Sequence, residues 1–162
     1  MAVRNIRKLG DPILRAKAKE VTAFDSDLAM NLKDMADSME HYSGVGLAGP
    51  QIGLGQALVV IKLGEDFPLL ELINPRIVSS SGEEVTAEGC LSIPGVFGEV
   101  PRCTEVEVHF LDRTGSNKVV QATGTLARAL QHEVDHLEGV LFIDKVTRYL
   151  DDEHPLQMIH HQ

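Results

Sequence analysis

The sequence predicts an α+β protein, with mostly antiparallel strands around one central helix. Three observations carry this. Apolar residues recur at helical spacing in two separated segments, about residues 25–42 and 126–137. The stretch between them holds short apolar runs and one clear period-two alternation, cut by turn residues. These strands are grouped between the helices rather than alternating with them, which argues against a doubly wound parallel sheet.

In chain order, Gly10-Asp11-Pro12 marks an early turn. Leu28, Leu32, Met35, Met39 and Tyr42 form one apolar stripe, so a core-packing helix is expected from about Asp25 to Tyr42, with Asp25 or Ser26 as its N-cap. A glycine-rich stretch, Gly44 to Gly55, follows. Ala57 to Ile61 reads as a buried strand. Leu69 to Ile73 reads as a second, closed by Asn74-Pro75, and Ser79 to Gly82 reads as a turn. In Glu105 to Phe110, Val106, Val108 and Phe110 alternate onto one face, and Thr114 to Asn117 turns the chain into Lys118 to Thr123, giving a hairpin. Leu126 to Leu137 is the second helix, with Leu126, Ala129, Leu130, Val134 and Leu137 on its buried faces. After Asp144 the tail is acidic and then His-rich, interrupted by Pro155.

The 162 residues, 43% hydrophobic and 24% charged, fit one globular domain spanning residues 1–162. Trp is absent and aromatics make up 4%, so aliphatic side chains must fill the core. The net charge of −9 argues against direct nucleic-acid binding. No apolar run is long enough for a membrane span. The first residues lack an apolar leader segment, which points to a cytoplasmic location and to reduced Cys90 and Cys103.

The chemistry is concentrated in His132-Glu133-Val134-Asp135-His136. On a helix, His132 and His136 lie one turn apart on the same face and can reach one metal ion, with Glu133 beside them to handle a water proton. This is the pattern of metal-assisted hydrolysis. Asp135 points away from the ion by the same geometry, so a salt bridge or hydrogen bond is its expected role. A catalytic site needs a third protein ligand. A third His six residues after the second would fall on Phe142, which excludes that variant. Glu153 is available but sits in the Pro-interrupted tail. Cys90, in Glu88-Gly-Cys-Leu-Ser-Ile-Pro94, offers a thiolate. With two imidazoles it makes a soft three-ligand site suited to zinc or ferrous iron.

Gly44-Val-Gly-Leu-Ala-Gly49 matches G-x-G-x-x-G literally. A dinucleotide site needs a strand before it and a helix opening within it, whereas here a helix precedes and Pro50 follows. The stretch reads instead as a connector or as backbone that comes close to a substrate. Gln51 then presents a side-chain amide that can donate to a developing oxyanion.

Together these segments resemble the peptide deformylases. The family's three motifs appear as Gly44-Val-Gly-Leu-Ala-Gly-Pro-Gln51, Glu88-Gly-Cys-Leu-Ser92 and Gln131-His-Glu-Val-Asp-His-Leu137, in the family's order and at its approximate spacing. The resemblance covers nearly the whole chain. It implies removal of the N-formyl group from the formyl-methionine that begins new polypeptides, with release of formate. It implies one Fe(2+) per chain, replaceable by Ni, Co or Zn, held by Cys90, His132 and His136. Glu133 would act as base and then acid, and Gln51 with the Leu91 backbone N–H would stabilise the oxyanion. The substrate would bind as an extended strand beside Val45, Gly46 and Gly89. Its Met side chain would enter an apolar pocket for which Val45, Leu126 and Ala129 are the candidates.

The chain departs from the family in places. Gly49 stands where Ala is commoner, and Gly95-Val-Phe-Gly98 is apolar where some relatives carry a basic residue that contacts substrate. The short acidic tail lacks the basic helix with which some relatives dock on the ribosome, so that docking is not carried over and only a transient ribosome contact stays open. Two rivals remain at this point. A zincin-type endopeptidase would need a third ligand other than Cys90. A structural zinc site would need a fourth protein ligand, for which Cys103, His109 or His154 are available.

Overall fold

A computed structural model describes residues 2–150. Its element order is α1 (Ser26–His41), β1 (Gly46–Ala48), β2 (Leu58–Ile61), β3 (Leu70–Ser81), β4 (Glu84–Cys90), β5 (Ile93–Arg102), β6 (Glu105–Leu111), β7 (Asn117–Thr123), α2 (Gly124–Leu137) and β8 (Arg148–Leu150), with 3₁₀ turns at Pro12–Arg15, Gly49–Ile52 and Phe142–Asp144. A five-stranded sheet runs β1-β2-β3-β6-β7 and a three-stranded sheet runs β4-β5-β8. Every neighbouring pair is antiparallel. This is the α+β arrangement expected from the sequence.

Alternation along β2 explains how the larger sheet is covered on both faces. Leu58 and Val60 pack with Leu28, Leu32, Met35 and Met39 of α1. Val59 and Ile61 pack with Ala127, Ala129, Leu130 and Leu137 of α2. Successive strand residues point to opposite faces, so one apolar run serves both helices. The Asp25 side chain caps α1 by accepting from the Leu28 N–H, as its position before the stripe predicts. A third cluster, including Leu14, Cys90, Ile93, Val100, Leu141 and Phe142, lies under the β4–β5 hairpin.

Two local expectations were wrong. β3 does not close at Asn74-Pro75 but runs on to Ser81, with a register shift between Ile73 and Arg76. Asn74 takes a left-handed φ of 52° there, and its amide exchanges two hydrogen bonds with the Val21 backbone, accepting at 2.8 Å and donating at 2.9 Å. A residue pair that normally ends a strand here forms a bulge within one. Likewise Ser79, Ser80 and Ser81 are not a turn, since they pair with Glu107, Val106 and Glu105. The sequence also missed β1, β4, β5 and β8 as strands. Glu153, His154 and Pro155 lie outside the described residues.

Candidate metal centre

α2 sets His132 and His136 one turn apart, and their Nε2 atoms lie 3.3 Å from each other. Cys90 ends β4, where the hairpin closes through the Cys90–Ile93 pair, and its Sγ lies 3.4 Å from His136 Nε2. The three donor atoms all fall within 4.8 Å of one another, and all three side chains are buried. Metal–nitrogen bonds of about 2.0–2.1 Å in a tetrahedral site place two nitrogens roughly 3.3 Å apart. The two imidazoles are already spaced for one divalent ion, with the Cys90 thiol beside them.

The protonation states suit this. Burial, and then the charge of Glu133, pushes the Cys90 thiol up to about 12, so it loses its proton only to an ion. Burial, followed by the neighbouring His132, pushes His136 well below the ordinary histidine range, leaving the neutral imidazole that ligates metals.

Glu88 is the residue that sequence reasoning quoted but did not use. It is fully buried, and its Oε1 accepts from His132 Nδ1 at 2.9 Å. That bond fixes the tautomer that leaves Nε2 free for a metal. Arg102 binds both Glu88 oxygens through Nε and Nη2, each at 2.9 Å, and Arg128 adds a bond to Oε2. Burial acts to raise the Glu88 pKa, but the bonds from His132 and Arg102 outweigh it and hold the carboxyl far below its usual range. Asp135 faces away from the donor cluster as expected, accepting from Arg102 Nη1 at 2.6 Å and pairing with Lys145 at 2.9 Å. The available sequence signal was Arg128, a charge one turn before His132 on a helix face otherwise read as core.

Glu133 is fully buried, and neither of its carboxylate oxygens has a hydrogen-bond partner among the described residues. Burial, and then the charge of Glu88, raises its pKa well above the ordinary carboxylate value. An orphaned buried carboxylate beside a ligand cluster calls for an occupant that can exchange a proton with it. Gly46 makes room for it, because a Cβ at that position would stand 2.7 Å from Glu133 Oε2.

Gln51 is also buried. Its Oε1 accepts from the Ala48 N–H at 2.9 Å, and its Nε2 donates to Ser92 Oγ at 3.3 Å and to Cys90 Sγ at 3.6 Å. The donor end of the amide thus faces the cluster. Leu91 sits next to Cys90 at the tip of the hairpin, half-buried. Gly49 also has a physical reason, since a Cβ there would meet the Gln56 carbonyl at 2.6 Å.

The residues expected to contact substrate are more dispersed. Gly89 lies in β4 against the Phe97 ring, which a Cβ would meet at 2.7 Å. Val45 borders a groove of about 480 Å³ with Met39, Glu40, Ser43, Lys62, Leu63 and Leu69, and neither Leu126 nor Ala129 lines it. Ala129 is fully buried in the core between α2 and the larger sheet, and Leu126 packs against that core. Phe142, the residue that displaced a third histidine, stacks on the His132 ring with centroids 6.3 Å apart. Cys103 and His109 are not in the donor cluster, which among the described residues holds three candidate ligands, one fewer than a closed structural site needs.

Comparison with known proteins agrees with this geometry. The family model for polypeptide deformylase matches residues 3–151. The peptide deformylase of Caldanaerobacter subterraneus subsp. tengcongensis is 58% identical over 153 residues, covering 94% of this chain and 95% of that protein. The crystal structure of a peptide deformylase from Legionella pneumophila superposes with a TM-score of 0.87 at 43% identity, covering 96% of this chain and 89% of that one. The crystal structure of the Synechococcus elongatus peptide deformylase in complex with actinonin superposes with a TM-score of 0.86 at 44% identity, covering 90% and 79%. Three motifs, one fold and this depth of identity leave a single conclusion: the chain belongs to the polypeptide deformylase family.

Proposed function

We propose that this chain uses Cys90, His132 and His136 to hold one Fe(2+), and Glu133, Gln51 and Leu91 to carry out deformylation around it. The overall reaction is that of the family. A peptide deformylase is a metal-dependent hydrolase that removes the N-formyl group from the formyl-methionine of newly made polypeptides and releases formate. The zincin-type endopeptidase is not favoured, because the family match covers residues 3–151 and Cys90 lies beside the two histidines. The family match also supports one catalytic domain.

One observation carries the mechanism: the orphaned, buried Glu133 carboxylate beside the three-ligand cluster. When bound, the ion supplies Lewis acidity, polarising the formyl carbonyl and lowering the pKa of water towards about 7. Glu133 takes the proton of the attacking water and later delivers it to the leaving amine. Its raised proton affinity suits both tasks, since it can hold the proton between the two transfers. The Gln51 amide and the Leu91 backbone N–H donate to the oxygen of the formyl group as negative charge develops there. β1 is an edge strand of the larger sheet, so an extended substrate adds beside Val45 and Gly46, with Gly89 of the β4–β5 hairpin assigned as a further backbone contact. Val45, which borders the groove, is the apolar side chain assigned to its methionine, whereas Leu126 and Ala129 pack in the core between α2 and the larger sheet.

The cytoplasm, where new polypeptides are made, is the compartment this substrate requires. Among the described residues no helix is long and apolar enough to cross a membrane. Transient ribosome contact would bring the enzyme to its substrate.

Protein reconstituted with Fe(2+) should release formate from formyl-Met-Ala and lose that activity in air faster than protein loaded with nickel. Equal decay of both forms would remove iron as the labile element, and no formate release by either would overturn the reading. Gly46→Ala should lower kcat by roughly a hundredfold, because its methyl group displaces the Glu133 carboxylate by an ångström or so. Metal content should not change, and metal analysis beside steady-state kinetics checks both.

A further inference from the structure

Resting on the ligand assignment above, we propose that Arg128 is a positioning residue for the metal centre, setting the spacing between the two imidazoles on α2 and the thiolate on the β4–β5 hairpin. Arg128 precedes His132 by one helical turn and is almost wholly buried. Its guanidinium leaves the helix and binds the hairpin at three points. Nη1 donates to Glu88 Oε2 and to the Val100 carbonyl at 3.0 Å, and Nη2 donates to the Glu84 carbonyl at 2.7 Å. Glu84 begins β4, Val100 lies in β5, and Cys90 ends β4. Arg128 therefore ties the helix that carries His132 and His136 to both strands of the hairpin that carries Cys90.

Arg102 makes the reciprocal connection, reaching from β5 to Asp135 on α2 while it grips Glu88. The two guanidinium groups meet on one carboxylate and together fill its acceptor sites except the one on Oε1 that His132 occupies. Arg128 thus acts twice: it holds the hairpin at its distance from the helix, and it leaves Glu88 with a single free direction, towards His132. A lysine could satisfy the charge but not three acceptors in two directions.

Cobalt(II) titration of the metal-free full chain tests this, read by the thiolate-to-cobalt absorption band, the visible ligand-field bands and competition with a chromogenic chelator. Arg128→Met should bind Co(II) about 10–100-fold more weakly. Its ligand-field bands should shift, and kcat per bound cobalt should fall while KM for formyl-Met-Ala holds. Arg128→Lys should lie between Arg128→Met and wild type in affinity, and it decides the question if Arg128→Met does not fold. A folded variant with wild-type affinity and bands, and only a lower Tm, would overturn the proposal by making the arginine merely structural. A wild-type protein without the thiolate band would instead overturn the ligand assignment, and this proposal with it.

Discussion

Replacing Glu133 with Met should abolish formate release and at the same time stabilise the protein. General acid–base catalysis contributes roughly 10²–10⁴-fold, and the proposed mechanism passes both proton transfers through this one carboxylate, so a loss at or beyond the upper end is expected. The metal should stay, since Glu133 is not in the ligand cluster. The gain in stability follows from burial. Both carboxylate oxygens are enclosed without partners among the described residues. A polar group enclosed without hydrogen bonds costs about 1–3 kcal/mol on the scale of protein substitutions. Met has similar volume and no such cost, so the melting temperature of the metal-free variant should exceed that of the metal-free wild type. Formate release, metal analysis and a thermal melt check the three parts. A variant that still turns over substrate removes Glu133 from the proton path.

Cys90→Ala should have the opposite profile, losing the metal while the fold survives. Losing one of three protein ligands should weaken binding roughly a thousandfold or more. The fold survives because Cys90 is a small member of a cluster otherwise built from Leu14, Ile93, Val100, Leu141 and Phe142. The thiol of the metal-free protein, pushed up to about 12, also sets the sign of the pH effect. Near neutral pH Cys90 carries its proton, so metal uptake must release it, and apparent affinity should strengthen as pH rises. Cys90→Ala should lose that thiol-linked proton release. Metal analysis after gel filtration, with a proton-release titration, tests this. Normal metal retention by the variant would overturn the ligand set.

The helices and β6 were legible because each repeats its burial pattern over enough residues for periodicity to be seen, and β7 because the Thr114–Asn117 turn folds the chain back on β6. The metal-binding pair was legible because spacing on one helix determines which side chains share a face. Cys90 was reachable because the pair was visibly incomplete. The β4–β5 hairpin was not, since Gly89, Pro94, Gly95, Gly98 and Pro101 interrupt the alternation that identifies strands. Those interruptions have tertiary causes: Gly89 lies under the Phe97 ring, and at Gly98 a Cβ would stand 2.7 Å from Val146. Asn74-Pro75 misled for a related reason, because the partner that turns it into a bulge is Val21, 53 residues away. Glu88 and its arginines stayed hidden because the carboxylate on β4 draws its partners from β5 and α2, and no local pattern links them.

The Gln51 amide is pinned at one end, with its oxygen taken by the Ala48 N–H. It therefore cannot turn over, and the direction of its dipole is settled when the chain folds rather than when substrate arrives. A dipole oriented in advance needs no reorganisation at the moment charge appears next to it, and that reorganisation is what water would have to supply. The same pinning makes the position chemically asymmetric. Glutamate has nearly the same shape but offers acceptors at both ends, so it would meet the Ala48 N–H correctly and, in the proposed mechanism, turn a repelling oxygen towards the developing negative charge. What looks from the sequence like one polar side chain among glycines is thus a fixed polarity, and deamidation of this single group would reverse it.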